Sequence, residues 1–145
     1  MNTRMKAAFA CHLAAIAIVI AFSMTYLFRA EFMPYHAVVV GMPWNQVNPA
    51  FQALILWLMR DVGAACLAIA VLELFLLFVP FRQGALWARW AIPAGGLLIA
   101  APVLYGMAQL ALHTPATPAW IGPAAGALLL VIGLLLSLGR AHKPS

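Results

Sequence analysis

Charged residues are scarce in this chain. Only 8% of its 145 residues are charged and only three are acidic, whereas 66% are hydrophobic. Soluble domains carry about 25% charged and roughly 45–50% apolar residues, and a soluble domain of this length could not bury so many apolar side chains. A bilayer can accept them, because hydrocarbon surrounds the outside of its helices. The composition therefore predicts a single integral membrane domain over residues 1–145.

Sequence motifs for catalysis and cofactor binding are also missing. The chain has no P-loop, G-x-S-x-G, H-E-x-x-H or G-x-G-x-x-G motif, and its histidines lack metal-ligand spacing. Cys11 and Cys66 form no C-x-x-C pair and lie in separate apolar runs. The basic residues do not cluster on a soluble segment, which argues against nucleic acid as a partner. We expect a protein that is not an enzyme and that has no cofactor and no metal.

Four apolar runs make up most of the sequence, and each has about the 20 residues needed to cross hydrocarbon. They predict helices at approximately residues 7–28, 50–79, 90–112 and 120–138, and hence an all-α, four-helix transmembrane bundle. The first run follows a short basic leader, so a signal peptide is the competing interpretation. Its length and the absence of a small-residue cleavage site before Arg29 favour an uncleaved helix.

A long connector, residues 29–50, joins the first two predicted helices. Its prolines and its aromatic side chains are typical of a segment at the membrane surface. We expect a short helix or hairpin around residues 36–40. Asn48 and Pro49 predict the start of the second helix, as N-cap and first helical residue. Re-entry of the connector into the bilayer stays open at this point.

The basic residues predict the orientation of the bundle. The positive-inside rule places both termini in the cytoplasm and the long connector on the outer side of a bacterial inner membrane. In that orientation only Arg29 lies outside, and the cytoplasmic basic residues are Arg4, Lys6, Arg82, Arg89, Arg140 and Lys143.

Arg60 and Asp61 lie inside the second apolar run, about two turns below its predicted outer end. A charged group at the centre of a membrane helix costs about 2.5–3.5 kcal/mol on insertion scales, so a polar environment is expected. A structural clamp between helices, a pocket for an anionic headgroup or small ligand, and simple snorkelling of the Arg60 side chain are all open interpretations. The polar residues expected at similar depth or in the connector above are Ser23, Thr25, His36, Asn45, Gln52, Tyr105 and Gln109.

Glu73 is the remaining acidic residue within an apolar run, and His12 of the first helix is expected at comparable depth. One interpretation is a neutral or paired Glu73 that only holds helices together. The other is proton or cation coupling, as in small multidrug transporters, although in those proteins the essential glutamate lies in the first helix.

Gly122 and Gly126 have the G-x-x-x-G spacing that favours close helix contact. Small-residue faces of this kind predict either packing within the bundle or contact with a protein partner or a second copy. Membrane lipid is the other expected partner.

The segments PYHAVVVGMPW, PAFQALILWLMRDVGAACLAIA and PFRQGALWARWAIP, from about Pro34 to Pro93, carry a family resemblance. The chain resembles small bacterial four-helix membrane proteins of DoxX-like type, in which an L-x-R-x-x-G helix is followed by a cytoplasmic F-R-x-G-x-x-W-A-x-W-A turn. The resemblance implies a four-helix bundle and no defined activity. The matching residues are Gln52, Leu58, Arg60, Gly63, Phe81, Arg82, Gly84, Trp87, Ala88, Trp90 and Ala91.

Two functional classes follow from these features. The first is a non-enzymatic inner-membrane protein with an accessory or structural role. The second is a small transporter, or a lipid-binding or small-ligand-binding protein, that uses Arg60, Asp61 and Glu73.

Overall fold

The computed structural model describes residues 1–139, and all regular structure in that range is helical. Four of its helices are long and apolar enough to cross a membrane: Thr3–Phe28, Pro49–Phe81, Leu86–His113 and Ile121–Leu138. This confirms the predicted set of four membrane helices. The elements are α1 (Thr3–Phe28), α2 (Pro34–Val40), a 3-10 turn (Trp44–Gln46), α3 (Pro49–Leu76), a π-helical turn (Leu77–Phe81), α4 (Leu86–His113) and α5 (Ile121–Leu138).

Local capping signals set several helix boundaries. The Asn48 side chain accepts a hydrogen bond from the Ala50 backbone N–H at 2.9 Å, and Pro49 is the first residue of α3, as predicted. The short helix predicted in the connector is α2, which begins at Pro34 and ends at Val40, with Gly41 as its C-cap. Gly41 has a φ of 74°, a left-handed conformation that glycine adopts without a steric penalty.

Three boundaries differ from the prediction. Helix α1 begins at Thr3 instead of residue 7, because the Asn2 side chain accepts a hydrogen bond from the Met5 backbone N–H and caps the helix there.

The second membrane helix does not stop before Pro80, because Pro80 lies inside the π-helical turn that extends α3 to Phe81. A π-helical turn changes the hydrogen-bond register of the helix, so it accommodates a residue that has no N–H to donate. The next helix then begins at Leu86 instead of residue 90, since Gly84, with a φ of 85°, completes a tight turn.

The other three membrane helices pack around α1, which lies mainly against α3 and α5. Helix α4 packs on α5 and less extensively on α3. We refer to the end of the bundle that carries the residue 29–48 segment as the connector end, and to the opposite end as the terminus end. The main core is apolar and consists of Ala8, Ala15, Ile16, Ala70, Leu77, Phe81, Ala88, Ile92 and Leu130.

The two halves of α4 differ in burial. All of its buried residues lie between Ala88 and Gly96, in the half nearest the terminus end. Beyond Gly96 the helix has no fully buried residue as far as His113. The close packing of α4 is therefore confined to the terminus end, and two cavities flank its other half.

Arginine side chains close the bundle at the terminus end. Arg4 of α1 donates a hydrogen bond to the Leu135 carbonyl at 3.3 Å, and Arg89 of α4 donates one to the Ser137 carbonyl at 2.8 Å. Both acceptors lie in the last turn of α5, where helical carbonyls have no intrahelical partner and where positive charge is favourable. The basic tail that contains Arg140 and Lys143 lies outside the described residues.

Candidate functional site: a buried polar centre

His12 and Glu73 form what we call the polar centre, and close contacts between helices fix its depth. Gly63 of α3 lies against α1 between Ser23 and Leu27, since a methyl group added at Gly63 would be 3.0 Å from the Ser23 carbonyl oxygen and 3.1 Å from Leu27 Cγ. At about 1.5 Å per residue, Glu73 lies about 15 Å further toward the terminus end than Gly63. Thr25 is level with Gly63, and His12 is 13 residues from Thr25 and so about 20 Å from that level. The two residues therefore lie within about one helical turn of each other along the bundle.

Glu73 is 4% exposed, and its Oε1 atom has no hydrogen-bond partner among residues 1–139. The carboxyl group points at two glycines of α4. A methyl group added at Gly95 would lie 2.8 Å from Oε1, and one added at Gly96 would lie 3.5 Å from it. The adjacent glycines therefore create the space that this carboxyl group occupies.

His12 is fully buried, and neither of its ring nitrogens has a hydrogen-bond partner in the described range. The edge of its imidazole meets the Phe81 ring, with ring centroids 5.5 Å apart and planes at 84°. On the other side lies Gly133 of α5, where an added methyl group would come within 2.6–2.9 Å of three imidazole atoms. The imidazole therefore fits only because residue 133 lacks a side chain.

Within the described chain His12 and Glu73 are not hydrogen-bonded to each other, so the predicted His–Glu pair does not form. His12 packs against Phe81 and Gly133, and Glu73 faces Gly95 and Gly96. Burying a polar group without a hydrogen bond costs about 1–3 kcal/mol in proteins, and an ionised group costs more. The bundle thus contains two unsatisfied ionisable side chains within an apolar core.

A cavity of about 330 Å³ lies between α1, α4 and α5, and we call it the α5 cavity. Thr25 is the only polar side chain in its lining. At the terminus end of the cavity the lining residues are Ala15, Gly96 and Leu130. Gly96 and Leu130 lie against each other there. The carboxyl group of Glu73 lies on the same side of Gly96 as the Leu130 side chain, because a methyl group added at Gly96 would be 2.5 Å from Leu130 Cδ1 and 3.5 Å from Glu73 Oε1.

Arg60 and Asp61 lie near the connector end and do not join the polar centre. Arg60 is three residues before Gly63 and so about 4.5 Å nearer the connector end, which is level with the last turn of α1. Its guanidinium carbon lies 5.4 Å from the centroid of the Trp57 ring. Asp61 is exposed, and within the part of the chain that is described neither residue forms an ion pair. At this level a charged side chain can reach the interface, as the snorkelling interpretation requires.

The other residues of the predicted polar cluster are dispersed. Tyr105 is 68% exposed, and Gln109 is hydrogen-bonded to His113 of its own helix at 3.1 Å. Ser23 and Thr25 donate to carbonyls one turn earlier in α1, those of Val19 and Ala21. Gln52 donates to the Trp44 carbonyl at 2.7 Å, and Asn45 is exposed in the 3-10 turn. Gln52 therefore ties the connector to α3.

A second cavity of about 380 Å³ lies between α3 and α4 toward the connector end, and we call it the α3 cavity. The Tyr26 and Tyr35 hydroxyls are hydrogen-bonded at 2.9 Å at its edge, next to His36. His36 of α2 stacks edge-on against Tyr35 and Phe32, with centroids 4.3 and 6.4 Å away. The connector thus has a small aromatic core of its own.

The packing of His36 predicts a pH dependence of the connector. Burial, and then the positive charge of Arg29, lower the pKa of His36 below its ordinary value of 6.5. The stability that the neutral imidazole contributes is therefore fully present above pH 6.5 and is lost as pH falls toward the lowered pKa of the folded form. Limited proteolysis should cut the connector faster at pH about 5 than at about 7.5.

Two histidine substitutions control this experiment. His36→Gln should remove the pH dependence, whereas His113→Gln, at an exposed position at the end of α4, should retain it. Equal pH dependence in both variants would contradict the assignment to His36.

Gly122 and Gly126 line the α5 cavity, and Gly126 is buried opposite Ile18 of α1. Gly126 therefore packs inside the chain, whereas a Cβ atom added at Gly122 would meet no atom within 4 Å. Among residues 1–139, no three His, Cys, Asp or Glu side chains come together as a metal site. The glycines that surround the polar centre, Gly95, Gly96 and Gly133, were not predicted as site residues. The sequence feature that could have identified them is a glycine pair and a single glycine within apolar runs, in a chain that also has a glutamate in such a run.

Comparisons with known proteins add no relative. No protein-family model, curated protein or solved structure matches the chain.

Proposed function

We propose that this chain is a membrane-embedded binding protein, of the small-transporter or small-ligand-binding class, with Glu73 as the residue that contacts the ligand. One observation carries the proposal: a carboxyl group buried among four apolar helices has an oxygen with no partner in the described chain. Burying an ionisable side chain at this depth is unfavourable, and a purely structural role would not offset that free energy. A bound ligand with a hydrogen-bond donor or a positive charge would compensate it.

The distribution of basic residues supports a location in a bacterial inner membrane with both termini cytoplasmic. Arg4, Lys6, Arg82 and Arg89 belong to the terminus end, and Arg29 belongs to the connector end. The positive-inside rule favours the terminus end as cytoplasmic. On this orientation the α5 cavity lies in the outer half of the bundle, and the residues packed beneath it separate it from the cytoplasm.

An accessory or structural component is the second candidate. It is favoured by the interlocking of α1 and α5 at His12 and Gly133, which gives the imidazole a packing role. In this case the polar centre stabilises the bundle and a protein partner performs the function.

One experiment separates the two candidates. Wild-type protein, Glu73→Gln and Glu31→Gln are extracted in native-lipid nanodiscs, and bound small molecules and proteins are compared by mass spectrometry. Glu31 is the matched control, because it is an exposed acid 3.9 Å from Arg29 in the connector. We expect a small molecule in the wild-type and Glu31→Gln samples that is lost from Glu73→Gln.

Identical small-molecule content in all three samples would contradict the proposed function. Loss of a co-purifying protein from Glu73→Gln, without loss of a small molecule, would instead support the accessory role.

A further inference from the structure

Three features of the α5 cavity bear on the chemistry of a ligand. The cavity is almost entirely apolar, Gly96 and Leu130 are among its lining residues, and the buried Oε1 atom of Glu73 lies beside Gly96 on the side that faces Leu130. A volume of about 330 Å³ is at the lower end of the range that small-molecule sites occupy. An occupant must therefore be largely hydrocarbon and carry its polar group at one end.

The polar end must be a donor. A carboxyl group with an unpartnered oxygen offers an acceptor, and in its ionised form a negative charge as well. A ligand that ended in a carboxylate or phosphate would place a second acceptor against the first. A protonated amine fits best, because it supplies hydrogen bonds and the opposite charge together.

The Leu130 side chain lines the cavity and lies next to the carboxyl group of Glu73, because a methyl group added at Gly96 would be close to both. A methyl group added at Gly96 would strike the end of this side chain, which shows how closely Leu130 covers the glycine. The terminal atoms of a leucine move by rotation about side-chain bonds, and rotamer changes are frequent on binding. A rotamer change at Leu130 would connect the cavity with Glu73 without moving a helix.

We infer that the α5 cavity and Glu73 form one site for a lipophilic primary ammonium compound, with its hydrocarbon part between α1, α4 and α5 and its ammonium group at the carboxylate. The inference rests on the proposed function and adds the chemical class of the ligand. The shared chemistry, a primary ammonium group on an apolar body, belongs both to free alkylamines and to the headgroup of an aminophospholipid.

The α3 cavity provides an internal control for the site. It has a similar volume, about 380 Å³, and its lining is also mainly apolar. Its polar residues Tyr26 and Tyr35 already satisfy each other. Gly122 lines the α5 cavity and Gly106 lines the α3 cavity, and at both positions an added Cβ atom would meet no atom within 4 Å. Gly122→Leu and Gly106→Leu therefore fill one cavity each without a backbone clash.

The test measures binding of octylamine and of octanol, its uncharged analogue, to the full-length protein in phosphatidylcholine nanodiscs. Octylamine should bind wild-type protein and Gly106→Leu equally well. Glu73→Gln should weaken octylamine binding by about tenfold or more, as expected for loss of a charge-assisted hydrogen bond. Gly122→Leu should weaken it similarly, and octanol binding should not change with Glu73→Gln.

Three results would overturn the inference: equal binding of octylamine and octanol, no effect of Glu73→Gln, or a larger loss with Gly106→Leu than with Gly122→Leu. If Gly122→Leu does not fold, Ala119→Leu fills the same cavity from the loop before α5. Nanodiscs made with phosphatidylethanolamine distinguish the two ligand sources. Weaker octylamine binding in these nanodiscs identifies the aminophospholipid headgroup as the ligand, and unchanged octylamine binding identifies a free amine.

The outcome is independent of the mass-spectrometry test of the proposed function. If octylamine does not bind but a different small molecule is lost from Glu73→Gln, the ligand class is wrong and the binding function stands. If no small molecule depends on Glu73, the binding function itself fails.

Discussion

Glu73→Met increases the stability of the protein and abolishes ligand binding. The Glu73 side chain is 4% exposed and has an unpartnered oxygen within residues 1–139, so the folded state bears a desolvation cost that methionine does not have. Methionine is unbranched and adapts to irregular space, including the space beside Gly95 and Gly96. Replacing buried polar groups by apolar residues of similar volume is often neutral or stabilising, and we expect a gain of about 1–3 kcal/mol.

Unfolding in a detergent titration measures this gain, and Glu31→Met is the matched control. Glu31 is exposed and forms a surface ion pair with Arg29, so its substitution should change stability by less than about 0.5 kcal/mol. Destabilisation by Glu73→Met with no effect of Glu31→Met would mean that the carboxyl group is satisfied in the folded protein.

Gly133→Ala destabilises the bundle, and removal of the His12 side chain restores it. An added methyl group at residue 133 would lie 2.6–2.9 Å from the imidazole, which is fully buried and held against Phe81. The ring has no free space to move into, so α1 and α5 must separate. Overpacking of this kind costs about 1–3 kcal/mol, and the same titration measures it.

Two further variants make this result specific to the contact. Gly122→Ala adds a methyl group where no atom lies within 4 Å and should be neutral or stabilising by up to about 1 kcal/mol, since alanine favours the helix. His12→Ala combined with Gly133→Ala should recover most of the stability lost by Gly133→Ala alone. Simple additivity of the two substitutions would show that the residues do not touch.

The four helices and the start of α3 were predictable because they depend on local chemistry. Apolar runs long enough to span hydrocarbon identified four helices, and Asn48 with Pro49 set the start of α3. Pro80 misled the prediction of the end of α3, since a proline is expected to stop a helix and the local sequence does not reveal a π-helical turn. The early start of α4 at Leu86 follows from the tight turn at Gly84.

The polar residues were harder to predict because side-chain neighbours depend on packing between helices. Counting residues placed His12 and Glu73 at similar depth, in agreement with the packing. Arg60 and Asp61 are level with the last turn of α1, because α3 extends beyond α1 at the connector end. Gly95, Gly96 and Gly133 are part of the site only through contacts across helices. The DoxX-like resemblance stays a prediction.

The most direct measurement compares two carbodiimide reagents that modify carboxyl groups, one soluble in lipid and one soluble in water. If Glu73 is enclosed by the bundle and approached only through the apolar cavity, peptide mass spectrometry will find it modified by dicyclohexylcarbodiimide and protected from the water-soluble reagent. Exposed Glu31 and Asp61 should show the reverse. Modification of Glu73 by the water-soluble reagent as rapidly as Glu31 would contradict the buried polar centre.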